Sequence, residues 1–145
     1  MDNTLTVEKV FSGRLLRVPD YQRGYAWEKK NWTDFLDDLD LLPAGKQHYT
    51  GTLVLNRSRV EVAGDGEGAP MVEEDRSGAT YEVFDVVDGQ QRLTTIVLLL
   101  DAIRRALEAQ PGHTDLAGGI EMAFIRTARP NGEALYRLEL GREPE

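Results

Sequence analysis

One stretch limits the possible folds more than any other: Phe84-Asp85-Val86-Val87-Asp88-Gly89-Gln90-Gln91-Arg92-Leu93-Thr94-Thr95. Tyr81 to Val87 is rich in aromatic and β-branched residues, which predicts a strand. Asp88-Gly89 is a turn signal, because glycine takes positive φ without a steric cost. From Leu93 the apolar residues Leu93, Ile96, Val97, Leu100, Ile103 and Leu107 recur at helical spacing, which predicts a long helix ending at Pro111-Gly112. A strand must therefore turn sharply into a helix, with several polar side chains at the junction.

A helix start carries unpaired N–H groups and a partial positive charge, so it can seat a phosphate. Arg92 adds a cation able to grip phosphate through two hydrogen bonds. Gln90 and Gln91 add neutral donors and acceptors, and Asp88 can hold a metal ion or orient a water. The same residues also suit an ordinary strand–turn–helix that they merely cap, and spacing alone does not choose between the two.

Bulk composition enters as a set of limits. A chain of 145 residues with 41% hydrophobic content can bury one respectable core. There is no cysteine and there are two histidines, so disulfides, thiolate metal sites and histidine-rich metal centres are excluded. No apolar run is long enough to span a membrane, and Met1-Asp2-Asn3-Thr4 does not open a signal peptide, so the expected compartment is the cytoplasm. The net charge of −8 argues against broad electrostatic attraction to DNA. A local basic cleft remains open to Arg14, Arg17 and Arg23, whereas Lys29 and Lys30 read as solvated surface cations.

Ahead of the central stretch, Val7, Val10 and Phe11 give a short helix one apolar side, with Thr6 as its N-cap. Leu15 to Val18 is a strand that Pro19 ends. Tyr21-Gln22-Arg23-Gly24-Tyr25-Ala26-Trp27 then mixes polar and aromatic residues as a binding wall does. Aromatic faces can stack on bases, Arg23 can meet phosphate, and Gln22 can bond a base edge or a phosphate oxygen. Tyr25 and Trp27 equally suit core anchors for the next helix. That helix, Glu28 to Leu42, carries the stripe Trp32, Phe35, Leu36 and Leu39 and an acidic wet face. His48 to Asn56 reads as a strand in which Gly51 marks a bulge or a close backbone approach. Residues 57–80 are acidic and glycine-rich and read as a loop joining the two strands of a hairpin, with Val60-Glu61-Val62 and Met71-Val72 as possible strand extensions. Beyond the long helix, Ile120 to Ile125 suits a short helix and Leu135 to Leu140 alternates like a strand.

Asp88-Gly89-Gln90-Gln91-Arg92-Leu93-Thr94 resembles the signature of the N-terminal domain of GmrSD-type modification-dependent restriction proteins, which also occurs in SspE-like proteins. Val18 to Trp27 resembles the first motif of that family, and Tyr49-Thr50-Gly51-Thr52-Leu53-Val54-Leu55 resembles its glycine-bearing strand. The resemblance implies an α/β (α+β) fold of ParB/sulfiredoxin-like type, a small mixed sheet flanked by helices. It implies a nucleotide-binding core over residues 1–110. Residues 111–145 are then an extension that leads, in such proteins, toward a nuclease domain. It further implies a role in hydrolysing a nucleoside triphosphate (GTP, ATP or CTP) with Mg2+, licensing a nuclease domain or subunit against modified DNA in anti-phage defence. No HNH-like histidine cluster is present, so cleavage by these residues alone is not expected, and the chain reads as a truncated or separately encoded module.

The expected cleft takes Gln22 and Arg23 from the first motif, Gly51 and Thr52 from the middle strand, and Gly89, Arg92 and Thr94 from the helix-opening turn. Asp88, Gln90, Gln91 and Arg92 are the catalytic candidates, with Asp88 the metal candidate and Asp85 a weaker second. An alternative class is a non-enzymatic sensor or interaction module. There Tyr21, Gln22, Tyr25 and Trp27 would enclose a modified DNA feature and Arg92 would hold DNA phosphate.

Overall fold

A computed structural model describes residues 4–19, 26–46, 51–60, 62, 64, 66 and 68–140. Its elements run α1 (Val7–Phe11), β1 (Arg14–Arg17), α2 (Lys29–Asp40), β2 (Val54–Arg57), β3 (Val72–Glu74), β4 (Thr80–Asp88), α3 (Gln90–Glu108), α4 (Thr114–Ile120), a π-helical turn (Glu121–Ile125), β5 (Arg126–Ala128), β6 (Ala134–Tyr136) and β7 (Leu138–Glu139). The class is α+β, as the sequence implies.

The main sheet has the order β2-β4-β1-β7, with β3 also on β4. β1 pairs in parallel with both β4 and β7, while β2 and β3 pair antiparallel with β4. The predicted hairpin therefore forms between β2 and β4, and β3 takes the other half of the same β4 edge. The two ends of the segment between β2 and β3 pair with each other. Arg59 bridges Pro70, and the Val60 N–H donates to the Ala69 carbonyl at 2.8 Å.

Alternation along β1 and β4 sends side chains to two cores. Leu16, Val18 and Val86 meet Phe11 and Leu93 on the helical side. Leu15, Tyr81 and Val83 meet Leu135 on the side covered by the β5–β6 ribbon. Phe11 also stacks edge-on against Phe124, with ring centroids 5.6 Å apart.

The expected strand over residues 48–56 is shorter than its sequence suggests. Residues 47–50 lie outside the described set, Gly51 to Leu53 are not strand, and pairing begins at Val54. Gly51 has φ +124°, which breaks the extended ladder, and the register shifts between Val54 and Leu55. Helix α2 forms as expected and opens with a capping box between Glu28 and Asn31. Of its predicted stripe only Phe35 is buried; Trp32 and Leu36 are 43% and 42% exposed. The amphipathic pattern is real, with Phe35 buried and Leu39 half-buried.

Residues beyond the long helix pack onto this core. Arg137 stands where the chain leaves the β5–β6 ribbon for the main sheet. Its N–H donates to the Ile125 carbonyl and its own carbonyl accepts from the Leu16 N–H, both at 2.9 Å. Its buried guanidinium donates to the carbonyls of Phe11, Arg14 and Met122 and lies 4.7 Å from the centre of the Tyr81 ring. Tyr81 in turn donates to Asp75 Oδ2 at 2.7 Å.

Asp75 closes this network. Its Oδ1 accepts from the Ser77 hydroxyl and from the N–H groups of Ser77 and Ala79. The Ser77 hydroxyl first, then the Tyr81 hydroxyl, hold the Asp75 pKa down at about 2. A lowered folded-state pKa stabilises the fold above the unfolded value, and that contribution is lost as pH falls through the folded value. Urea unfolding should therefore show stability dropping between about pH 4 and about pH 2. Asp75→Asn should flatten that part of the profile.

Candidate functional site

Buried residues bracket the turn. Val86 is fully buried on β4, Leu93 is 5% exposed on α3, and the residues between them protrude. Burying a side chain of this size contributes about 1.5–3 kcal/mol, so the two anchors hold a polar segment at the surface. Val87, Asp88 and Arg92 are exposed, while Gly89, Gln90 and Gln91 are half-buried.

Gly89 is the N-cap of α3, with φ +92° and no side chain to cap the first turn. A β-carbon there would lie 3.0 Å from the Thr52 carbonyl oxygen and 3.1 Å from Leu53 Cδ1. The junction thus needs glycine for its backbone conformation and for the close passage of residues 52–53. The Asp88 carboxylate accepts from the Gly89 N–H at 2.9 Å. Asp88 and Arg92 form no ion pair with any described residue.

The second contact is tighter. A β-carbon built on Gly51 would lie 2.1 Å from Arg92 Nη1 and 2.6 Å from Cζ. The guanidinium occupies the space that any side chain at residue 51 would need. The close backbone approach expected at Gly51 is therefore real, and what approaches is Arg92. Gly51, Thr52, Gly89 and Arg92, all expected in one cleft, are brought together.

The first motif reaches the same place through its last residues. Ala26 donates its N–H to Gln91 Oε1 at 2.7 Å. Tyr21, Gln22, Arg23 and Tyr25 lie outside the described residues. Trp27 is half-buried and packs edge-on against Phe35 with ring centroids 6.0 Å apart, the helix-anchoring role weighed for it above. Thr94 is 7% exposed, so it stands inside the fold behind the turn.

Several polar residues serve elsewhere. Asp85 pairs with Arg17 at 3.0 Å, and Arg17 also donates to the Ser58 hydroxyl. Strand alternation puts that pair on the opposite sheet face from Val86. Arg14 donates to the carbonyls of Lys9 and Val10 and stacks over Phe84. Arg14 and Arg17 therefore do not add to a basic cleft at the turn. A water-sized cavity of about 30 Å³ lies under the β5–β6 ribbon, lined by Arg17, Met71, Glu73 and Arg129 among others, and no residue of the turn lines it.

Among the described residues no cluster of three or more Asp, Glu or His could hold a metal by itself. Two contributors carry little sequence signal. Leu53 packs beneath Gly89, and Ala26 acts through its backbone N–H, which any residue but proline would supply.

A mixed sheet flanked by helices, with an arginine and two glycines converging where a strand becomes a helix, defines a small α+β domain with an exposed arginine at that turn. The chain belongs to the family described as GmrSD restriction endonuclease, N-terminal domain, which it matches over residues 7–140. As a member of that family it is a domain of a restriction system. No curated protein matches it. Among the described residues no helix is long and apolar enough to cross a membrane.

Gly51→Ala should destabilise the fold, through a strained φ and through displacement of Arg92, by about 1–3 kcal/mol in total, seen as a lower melting temperature. The displacement part should vanish when Arg92 is already Ala. A double-mutant cycle of thermal unfolding should therefore show coupling between the two positions.

Proposed function

We propose that this domain binds a nucleoside triphosphate at the opening of α3 and hydrolyses it, acting as the regulatory sensor of a modification-dependent anti-phage restriction system. The observation that carries the reading is the exposed Arg92 guanidinium lying on the Gly51 backbone beside the glycine-capped helix start. The phosphates would rest on the N–H groups of the first turn of α3, where the helix dipole favours negative charge. Arg92 would neutralise them with charge-assisted hydrogen bonds. Arg23 and Gln22 are proposed to complete the phosphate and base contacts.

Asp88 is the residue that would hold Mg2+, and the ion would supply charge neutralisation on the phosphate oxygens. The Asp88 carboxylate would also orient a water. Gln90, the first residue of α3, would position either the water or a phosphate oxygen. A site of this kind works by positioning and charge stabilisation, the main demands of phosphoryl transfer. A nuclease domain or subunit acting on modified DNA is the proposed recipient of the signal.

The non-enzymatic sensor reading asks for an aromatic pocket and local basic charge. Of the residues that reading uses, Tyr21, Gln22 and Tyr25 lie outside the described set and Trp27 is engaged with Phe35, whereas the Arg92–Gly51 contact at the helix start is the observation the nucleotide reading rests on.

Thermal stabilisation should first be screened across ATP, GTP, CTP and UTP with magnesium, since a ligand of the native state raises its stability. Arg92→Ala should then weaken binding of the preferred nucleotide by about 1.5–3 kcal/mol, the worth of a hydrogen bond to a charged group. Parent-like affinity and phosphate release in Arg92→Ala would remove the assignment.

A further inference from the structure

Ala26 and Gln91 are 65 residues apart in sequence, yet the Ala26 N–H donates to Gln91 Oε1 at 2.7 Å. Gln91 lies in the first turn of α3, two residues after the Gly89 cap. Its own backbone is fixed from below, because the Thr95 hydroxyl, on a residue only 7% exposed, donates to the Gln91 carbonyl at 2.8 Å. Ala26 leads directly into helix α2. Trp27 packs on Phe35, and the Glu28 N–H is capped by Asn31 Oδ1 at 2.9 Å. Phe35 is the one residue of α2 that is buried, and Trp27 lies against it.

We infer that Gln91 is a positioning residue whose amide oxygen pins Ala26, and through Trp27 the whole of α2, to the turn that receives the anion. Binding at the turn and placement of α2 are then coupled. The identity of the anion rests on the nucleotide reading above; the pin itself does not. Coupling of this kind is reciprocal: whatever factor the pin adds to anion affinity, the bound anion adds to the pin. Helix α2, with its exposed Trp32 and Leu36, thereby becomes the element whose position reports the state of the site.

Two variants break the same bond from opposite ends. Gln91→Met keeps the side-chain length and removes the acceptor. Ala26→Pro removes the donor and leaves Gln91 intact. Each should weaken nucleotide binding about three- to tenfold, the range of one hydrogen bond, and the double variant should lose no more than either single one. Amide hydrogen exchange supplies a measurement that does not depend on the proline variant. The Ala26 N–H should be protected in the parent, further slowed by nucleotide with magnesium, and fast in Gln91→Met.

If Ala26→Pro binds and hydrolyses nucleotide as the parent does while Gln91→Met loses both, Gln91 acts on the ligand directly and the pin is wrong. An Ala26 amide that exchanges equally fast in the parent and in Gln91→Met also overturns it. Should the parent bind none of the four nucleotides, the nucleotide reading falls and the coupling with it. Protection of Ala26 that depends on Gln91 would still uphold the pin in that case.

Discussion

The structure depends on a nonpolar clamp. Val86 enters the core at the end of β4, Leu93 enters it at the start of α3, and none of the six residues between them is fully buried. A turn tethered this closely at both ends is held at a fixed place by burial, whatever its own side chains do. The parallel pairing of β1 with β4 supplies the floor of the clamp, since Leu16 and Val18 pack against Val86 and Leu93. Polar residues at such a junction face solvent because their neighbours do not.

Electrostatics then acts on a prepared geometry. The helix start is positive, Arg92 adds a full charge beside it, and Asp88 is the nearest carboxylate in sequence. The protein leaves this arginine without a described ion-pair partner, although elsewhere it pairs arginine freely: Arg17 with Asp85, Arg57 with Glu82, Arg104 with Asp101 and Arg129 with Glu73. In a chain of net charge −8, an exposed arginine held against a glycine backbone marks a local reversal of the overall field. Gly51 is the structural counterpart of that choice, because any larger residue would occupy the space of the guanidinium.

Much of this was legible in the sequence. The strand–turn–helix junction followed from a change of hydrophobic period across Asp88-Gly89, and the short first helix followed from Thr6, Val7, Val10 and Phe11. Gly51 could be read as a point of close approach, though not which group approaches it. The β2 boundary was misjudged because Tyr49, Thr52 and Val54 suit a strand locally while the φ of Gly51 is a tertiary property. The contact between Ala26 and Gln91 had no signal at all, since a backbone N–H is common to nearly every residue. The exposure of Trp32 and Leu36 was equally hidden: an apolar stripe says which face is available for packing, not how much of it is covered.

The segment beyond α3 shows how far apart in sequence the supports of one site can lie. β7 completes the sheet by pairing with β1, and Leu135 closes the second core against Tyr81 and Val83. Arg137 fastens this return, its guanidinium donating to carbonyls from α1, from the start of β1 and from the π-helical turn. A buried cation is costly unless its donors are satisfied; here three backbone carbonyls accept from its two terminal nitrogens and the face of Tyr81 lies beside it, while Nε has no hydrogen-bond partner among the described residues. Those carbonyls belong to the elements that carry Phe11 and Leu16, which in turn form the floor beneath Val86 and Leu93. The arginine near residue 140 and the arginine at the turn are thus mechanically linked through one core. The family match, which runs to the last described residue, spans a single physical unit: without the return strand, the clamp that presents Arg92 would lose one of its walls.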